Sequence, residues 1–362
     1  MREENGIRGL LAAHCSRYPK LQIEDIFKFL FQSAFGCEHM VSSADAAAER
    51  IKHEHQHQAL MQERAWEIEP LDGAYCRVPL SCLNDGPTPE TLGALFCRSA
   101  KPEADGERRL TEMLEQTRAM IDAGLLPFDP DEFERKCNQW CEKGYPALHH
   151  SEAFRQAYHP SYRVLAKEYA IFLPLFSQID RLLKKGSAVI AIEGGSASGK
   201  STLAQLLKEI YSCTVFHMDD FFLQPFQRTA ERLAEVGGNL DRERFLEEVL
   251  TPLRLGKPIA YRRFDCSKQS LEPPVAVAPE RLTVVEGVYS MHPDLASDYD
   301  LSVYLDIDAN YQRERILKRN TPAFAEMFFS RWIPMENTYF EGMAVKERCN
   351  LSVTIDRNGF EH

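Results

Sequence analysis

The chain has 362 residues, 44% of them hydrophobic, which suits two or three ordinary domain cores and excludes a disordered or fibrous polypeptide. A formal net charge of −11 and a sequence pI of about 5.6 exclude the basic surplus of a general nucleic-acid or membrane-surface binder, leaving only a local basic pocket open. Ten cysteines lie scattered without a CxxC pair or zinc-type spacing, and no signal peptide precedes them, so they read as reduced thiols of a cytoplasmic protein. The longest apolar stretch, residues 170–176, is too short to span a bilayer and contains Pro174.

Helical patterns dominate the first half. Residues 22–35 carry Ile23, Ile26, Phe27, Leu30 and Phe31 at helical spacing and stop at Gly36. Thr88-Pro89-Glu90 reads as a helix start, with Thr88 as cap and Pro89 in the first turn. Residues 107–123 end at Gly124, and residues 131–143 end at Gly144. Residues 161–185 read as one long helix bent at Pro174. On a helix His53 and His57 share a face, whereas His55 does not. That spacing is open to a metal pair, although a polar, exposed helix end is the ordinary reading. Cys137 and Cys141 are also four apart and read as half-buried helix residues. His149-His150 and Tyr158-His159-Pro160 close this half, near the junction. The expected division is a mostly α-helical domain of unassigned role over 1–184 and a second domain over 185–362. No flexible tether separates them, so rigid packing of the two is expected.

After Gly186 the character changes. Val- and Ile-rich runs at 188–192, 213–217, 282–286, 301–306 and 351–355 alternate with helical stretches. This predicts an α/β fold, a parallel sheet with helices on both faces. Residues 258–279 break the alternation as a hairpin or loop insertion. Within this half, Gly194-Gly195-Ser196-Ala197-Ser198-Gly199-Lys200-Ser201 follows a predicted strand and opens a predicted helix. That is the pattern and the context of a phosphate-binding loop, whose backbone N–H groups and helix N-terminus form an anion site. Lys200 would reach the outer phosphates of a nucleotide, and the Ser201 hydroxyl would hold Mg²⁺.

Other candidates follow along the chain. Asp219, in His217-Met218-Asp219-Asp220-Phe221-Phe222, stands at the end of a predicted strand, where ligand groups of open α/β sheets gather. It would accept a hydroxyl proton or hold Mg²⁺ through water, the plain alternative being a helix cap. Glu286 ends another strand and precedes Gly287, where a metal-side acid is expected. Arg313, Arg315 and Arg319 lie on a predicted helix after Asp306-Ile307-Asp308, and Arg331 follows. Arginines of a closing lid stabilise charge and exclude water, whereas a solvated charged face is the ordinary reading of each.

Together with Gly238-Asn239-Leu240-Asp241, Val284-Val285-Glu286-Gly287-Val288-Tyr289 and Trp332-Ile333-Pro334, these markers resemble the uridine kinase family over roughly residues 187–362. That family is part of the P-loop kinases, with phosphoribulokinase, nicotinamide riboside kinases and bacterial pantothenate kinase. The resemblance implies a P-loop NTPase-type fold, with ATP and Mg²⁺ as cofactors. It implies Asp219 as catalytic base close to the metal, and Ser201 and Glu286 at the Mg²⁺ positions. Asp241 matches an acid that binds acceptor ribose hydroxyls, and Arg315 and Arg319 match the lid region.

The likeness thins where the acceptor is chosen. Uridine kinases carry a Tyr-Asp pair followed by a His in the hairpin. Here Asp265 is kept, Phe264 stands for the Tyr, and Gln269 stands roughly for the His. Arg262, Arg263 and Lys268 add positive charge, which opens an anionic acceptor, beside the plain reading of a solvated basic hairpin; Arg263 and Asp265 are the candidate substrate contacts of the hairpin. The expected activity is transfer of phosphate from ATP to a hydroxyl of a small molecule, a uridine-like nucleoside by resemblance, or a vitamin- or sugar-type metabolite. A nucleotide-dependent switch working through the helical domain is the rival, and the trio Asp219, Asp241 and Glu286 argues against it. No nucleic-acid or membrane partner is expected. The sequence leaves the acceptor and the oligomeric state open.

Overall fold

The computed structural model describes residues 6–37, 43–58, 66–84, 86–100 and 104–356. The chain divides into two compact units, Met1–Leu173 and Pro174–His362, a boundary ahead of the one expected at 184.

The first unit holds helices α1 (Ile7–Arg17), α2 (Ile23–Phe35) and α3 (Ala44–Gln58), then strands β1 (Glu69–Pro70) and β2 (Tyr75–Pro79). Helices α4 (Pro89–Ser99), α5 (Gly106–Asp122), α6 (Pro130–Glu142) and α7 (Glu152–Tyr158) follow, then strand β3 (Tyr162–Ala166). Local chemistry sets the helix ends. Gln22 and Asp25 form a capping box at the start of α2, and Gly36 closes it at φ +60°. Thr88 Oγ1 accepts the Thr91 N–H, with Pro89 in the first turn of α4. Gly124 and Gly144 take φ of +69° and +72° just past α5 and α6, as expected.

Residues 161–185 are not one helix. Tyr162–Ala166 pairs antiparallel with β2, from Pro79↔Tyr162 to Tyr75↔Ala166, in a three-stranded sheet of order β1-β2-β3. Aromatic and β-branched side chains in Tyr162-Arg163-Val164 suit a pleated surface once a partner edge exists, and that edge lies far off in sequence. A short helix α8 (Lys167–Ala170) and helix α9 (Leu173–Lys185) follow. Pro174 stands in the first turn of α9, where a missing N–H is harmless, so it starts the helix instead of bending it. The histidines of α3 use local partners: His57 Nδ1 meets the His53 carbonyl at 2.8 Å, and His55 Nε2 meets Asn84 Oδ1 at 2.8 Å. Among the described residues no cluster of three His, Cys, Asp or Glu is arranged to hold a metal.

The second unit is built on a five-stranded sheet. Its elements are β4 (Ala188–Gly194), α10 (Lys200–Tyr211), β5 (Thr214–His217), α11 (Ala230–Ala234), α12 (Arg242–Phe245) and α13 (Thr251–Arg254). An arm follows, in which β6 (Ile259–Tyr261) pairs with β9 (Val275–Val277) and β7 (Phe264–Asp265) pairs with β8 (Ser270–Leu271). It is the insertion expected at 258–279. Then come β10 (Leu282–Glu286), α14 (Pro293–Ala296), β11 (Leu301–Ile307), α15 (Ala309–Arg319), α16 (Pro322–Met327), α17 (Ile333–Gly342), α18 (Val345–Arg348) and β12 (Leu351–Ile355).

The sheet order is β12-β11-β4-β10-β5, and every pairing is parallel. All five strands predicted from the apolar runs are present. Parallel strands buried on both faces need continuous apolar sequence, and β10 is buried at every position. After β4 the chain passes over β10 to reach β5, while β11 lies on the other flank of β4. The crevice at the carboxyl ends of β4 and β10 is therefore a topological switch point, where such sheets bind ligands.

Candidate active site

The glycine-rich loop occupies that switch point. Gly194 ends β4 at φ +145°, and a Cβ there would lie 2.6 Å from the Leu305 carbonyl of β11, so only glycine fits. Gly199, at φ +104°, is the N-cap of α10. Ala197 is also left-handed, at φ +62°, and is buried in a cluster with Ile316, Ala325 and Phe328. The loop curls tightly: Ser198 N–H donates to the Gly195 carbonyl at 3.1 Å. The Lys200 ammonium donates to the Gly194 and Gly195 carbonyls at 2.7 and 2.9 Å. Lys200 is thus folded over the concave side of the loop, where an anion would sit.

Ser201 Oγ donates to Glu286 Oε1 at 3.0 Å, and His217 Nδ1 lies 2.5 Å from the same oxygen. Sheet register makes this meeting, because Glu286 and His217 are direct partners across the β10–β5 ladder. The Glu286 bond and charge hold the His217 imidazole above its usual pKa. Burial opposes ionisation of Glu286, but His217, Lys200 and Ser201 outweigh it and hold the carboxyl below the usual range. Asp219 follows in a single turn, Met218–Phe221. Its side chain reaches solvent, yet desolvation by its neighbours, with the Glu286 and Asp220 charges, pushes its carboxyl up against the pull of Lys200 and His217. Ser201, Glu286 and Asp219 offer hard oxygen donors only, the kind that Mg²⁺ takes alongside water and phosphate oxygens.

Two carboxylates at the loop escaped the sequence reading. Glu193 is fully buried on β4; its Oε1 accepts the Gly194 N–H at 2.9 Å, and its Oε2 accepts Met291 N–H at 3.1 Å and the Tyr339 hydroxyl at 3.0 Å. Burial pushes its carboxyl up to about 7, against those bonds and the Lys200 charge. Glu336 of α17 accepts the Ser196 N–H at 2.8 Å and the Ser196 hydroxyl. Gln312 Nε2 donates to the Ser196 carbonyl at 2.8 Å. A lone charge inside the apolar run at 188–192 and its continuation was the available signal for Glu193. Glu336 lies 140 residues from its partner, and no local spacing reports such a contact.

The acceptor-side candidates all have partners within the chain. Asp241 is 2% exposed and committed: Oδ1 caps α12 by accepting the Arg244 N–H, and Oδ2 accepts Arg244 Nε at 2.9 Å. Arg244 in turn donates to the Asp220 and Arg262 carbonyls and lies 4.6 Å over the Phe221 ring. The Asp241–Arg244 pair therefore positions the turn that bears Asp219 and Asp220. Asp265 is consumed inside its hairpin, by the Ser267 N–H and hydroxyl and by the Lys268 backbone and ammonium. Arg262 is paired with Glu248. Arg263 faces Asp220 at 3.6 Å and remains half exposed. Each cation of the arm thus faces a carboxylate, Asp265 within it and Glu248 and Asp220 outside it.

Of the three arginines on α15, Arg315 reaches the loop, its guanidinium nitrogens 3.8 Å from where a Cβ on Gly199 would stand. Arg313 lies 4.2 Å over the Phe329 ring and Arg319 lies 5.7 Å over the Phe328 ring. Both act there as packing cations rather than loop contacts.

The glycine-rich loop, Glu286 and Asp219 thus stand together at one switch point. The sequence model of the Phosphoribulokinase / Uridine kinase family matches residues 189–323. The C-terminal half of the chain is similar to that family. The chain is 26% identical over 136 residues to phosphoribulokinase of Synechocystis sp., covering 36% of this chain and 40% of that one. It is 25% identical over 146 residues to uridine kinase of Staphylococcus aureus, covering 38% and 70%. It is 25% identical over 187 residues to uridine kinase-like protein 3 of Arabidopsis thaliana, covering 48% and 40%. The chain thus spans only 40% of the length of two of these relatives. Among solved structures, a possible uridine kinase from Bacillus stearothermophilus covers 50% of this chain and 100% of its own, at 22% identity and a TM-score of 0.37.

Proposed function

We propose that the second unit is an ATP- and Mg²⁺-dependent kinase that phosphorylates a hydroxyl of a small molecule. The observation that carries the reading is the convergence of Lys200, Ser201, Glu286 and Asp219 at the carboxyl ends of adjacent strands, around a loop whose glycines are sterically required. Gly194 to Ser201 supply backbone donors to the phosphates of ATP, and Lys200 exchanges two loop carbonyls for phosphate oxygens. Ser201 and Glu286, with Asp219, would hold Mg²⁺, which when bound neutralises charge on the transferring phosphate. His217 fixes the Glu286 carboxylate and keeps it ionised. Asp219, its carboxyl raised toward the working pH, accepts the proton of the acceptor hydroxyl. Arg315 stabilises charge that develops beside the α10 N-terminus, and the folded-over segment around it excludes water.

The family likeness favours a uridine-like acceptor. Pairing of Arg262 with Glu248, of Arg263 with Asp220 and of Lys268 with Asp265 takes support from an anionic one. The test is direct. Purified protein with ATP and Mg²⁺ is screened against nucleosides, vitamins, sugars and their phosphates, and Asp219→Asn is compared with wild type. The variant abolishes transfer while ATP binding stays near normal. Retained transfer refutes the base assignment, and slow ATP hydrolysis with no acceptor at all refutes the kinase in favour of a nucleotide switch.

A further inference from the structure

A second candidate site lies wholly within the first unit, where neither the family match nor the kinase chemistry reaches. A cavity of about 340 Å³ opens between α2, α3, α4 and the lead-in to β3. That volume is within the range of small-molecule pockets. Its charged lining is unbalanced: Lys28, Arg50 and Arg163 face one carboxylate, Glu54.

Along the cavity, through its lining residues Gln32, His150 and Tyr162, runs a polar network. His150 Nδ1 bonds Asp25 at 2.9 Å and its Nε2 meets the Tyr162 hydroxyl at 2.7 Å, with burial holding the imidazole neutral at a pKa of about 4. The fully buried Arg77 donates to Gln32 at 2.8 Å and to Glu69 at 3.2 Å, and its guanidinium lies 4.8 Å over the Tyr162 ring. Arg77 Nη2 has no hydrogen-bond partner among the described residues, and the other groups satisfy one another.

Three other lining residues, Lys28, Ser161 and Arg163, keep donors to spare. Arg163 is 9% exposed; its Nη1 serves Glu54 at 2.9 Å and the Tyr162 carbonyl at 3.0 Å. Its buried Nη2 has no hydrogen-bond partner among the described residues, nor has the buried Ser161 hydroxyl. Unpaired buried donors are rare and costly, so two on one cavity wall call for an acceptor. Lys28 spends one of its three donors on the Leu148 carbonyl at 2.7 Å. Burial, with the Arg77 charge, pulls its ammonium down to about 8, so a counter-charge is wanted there too. Phe31 and Phe96 supply apolar wall beside these donors.

We propose that this cavity binds a small molecule bearing an oxyanion, a carboxylate or a phosphate, held by Lys28, Arg163 and Ser161, with an apolar or flat body against Phe31 and Phe96. Arg163 donates through Nη2, Ser161 through its hydroxyl, and Lys28 closes the charge, as in other charge-assisted oxyanion sites. Glu54 keeps Arg163 in place and rejects a second anion.

Isothermal titration of the full-length protein with sodium phosphate and with sodium benzoate, at matched ionic strength, tests it. At least one probe binds saturably in the millimolar range or tighter. Lys28→Met and Arg163→Gln each weaken that binding about tenfold or more, as expected for loss of one charge-assisted contact. Lys200→Ala, which removes phosphate uptake by the loop of the other unit, leaves the benzoate binding and a residual phosphate binding that belong to the cavity. Preference for phosphate identifies a phosphate ester as ligand, and preference for benzoate identifies a carboxylate with a flat body. Circular dichroism checks that each variant is folded; if Arg163→Gln is not, Lys28→Met alone decides. Absence of saturable binding by both probes overturns the proposal. So does binding that Lys200→Ala abolishes, or binding indifferent to Lys28→Met.

Discussion

Glu193 offers the sharpest test of how the loop is supported. It is fully buried between the glycine loop, the Ser290-Met291 backbone and Tyr339, and burial pushes its carboxyl up to about 7 from an ordinary value of 4.5. Below about pH 4.5 both the folded and unfolded chains carry it protonated, and it makes no pH-dependent contribution. Between about pH 4.5 and 7 the folded chain holds the proton that the unfolded chain has lost, so stability falls as pH rises. Above about pH 7 the loss is complete. A shift of this size corresponds to about 3 kcal/mol. Glu193→Gln keeps the shape and removes the titration. At acid pH the variant is the less stable protein, because its amide N–H₂ meets the Tyr339 and Met291 donors. As pH rises to about 8 its stability relative to wild type improves by about 3 kcal/mol. The assay is urea unfolding at several pH values between about 5 and 8. Trp332, the one tryptophan of the second unit, is followed in a Trp66→Phe, Trp140→Phe background. Parallel stability profiles for the two proteins, within about 0.5 kcal/mol across that range, refute the reasoning.

Three further outcomes are expected. Gly194→Ala forces a Cβ to 2.6 Å from the Leu305 carbonyl at φ +145°, so it lowers the thermal midpoint of the second unit by several degrees, for about 1–3 kcal/mol, and abolishes nucleotide binding. An unchanged midpoint with normal ATP affinity contradicts the steric argument. Arg315→Ala lowers kcat by about 10²-fold or more, whereas Arg319→Ala stays within about threefold of wild type, because only Arg315 reaches the loop. Equal losses in steady-state kinetics disprove that distinction. Arg77→Ala leaves Glu69 and Gln32 buried without their cation, and chemical denaturation reads a loss of about 3–5 kcal/mol in the first unit. A loss below about 1 kcal/mol shows that the network carries little.

Much of the second unit is legible in its sequence because its cause is local. Buried parallel strands need unbroken apolar runs, and a phosphate loop needs glycines where backbone conformation or a neighbouring strand forbids a Cβ. Both leave a mark within eight or ten residues. Asp219 and Glu286 are legible for the same reason, since a strand end followed by a turn is a local pattern. What stays hidden depends on pairing across the chain. Strand β3 exists because β2 offers it an edge, so its residues alone read as helix. His217 gains its role from the β5–β10 register, and Glu336 from a helix that folds back onto Ser196. Asp241 is a different case. The resemblance implies a substrate contact, and its bond to Arg244, three residues on, is a local feature that the resemblance does not announce.

The arm between α13 and β10 has a consequence for how such a protein changes. Its strands close their hydrogen bonds within the arm, and it meets the Asp219 turn at a few points, chiefly Arg263 on Asp220 and Arg244 on the Arg262 carbonyl. The sheet that carries the phosphate loop, Glu286 and His217 closes its ladder without it. The base of the arm is tied to the scaffold all the same: Ile259 and Tyr261 are buried in one core with Ala191, Phe216 and Val285 of the sheet, so a change there passes into the strands. The tip, residues 266–269, is exposed and can be exchanged or lengthened without reaching that core. Gln269 falls on this tolerant tip, whereas Phe264 is buried beneath it.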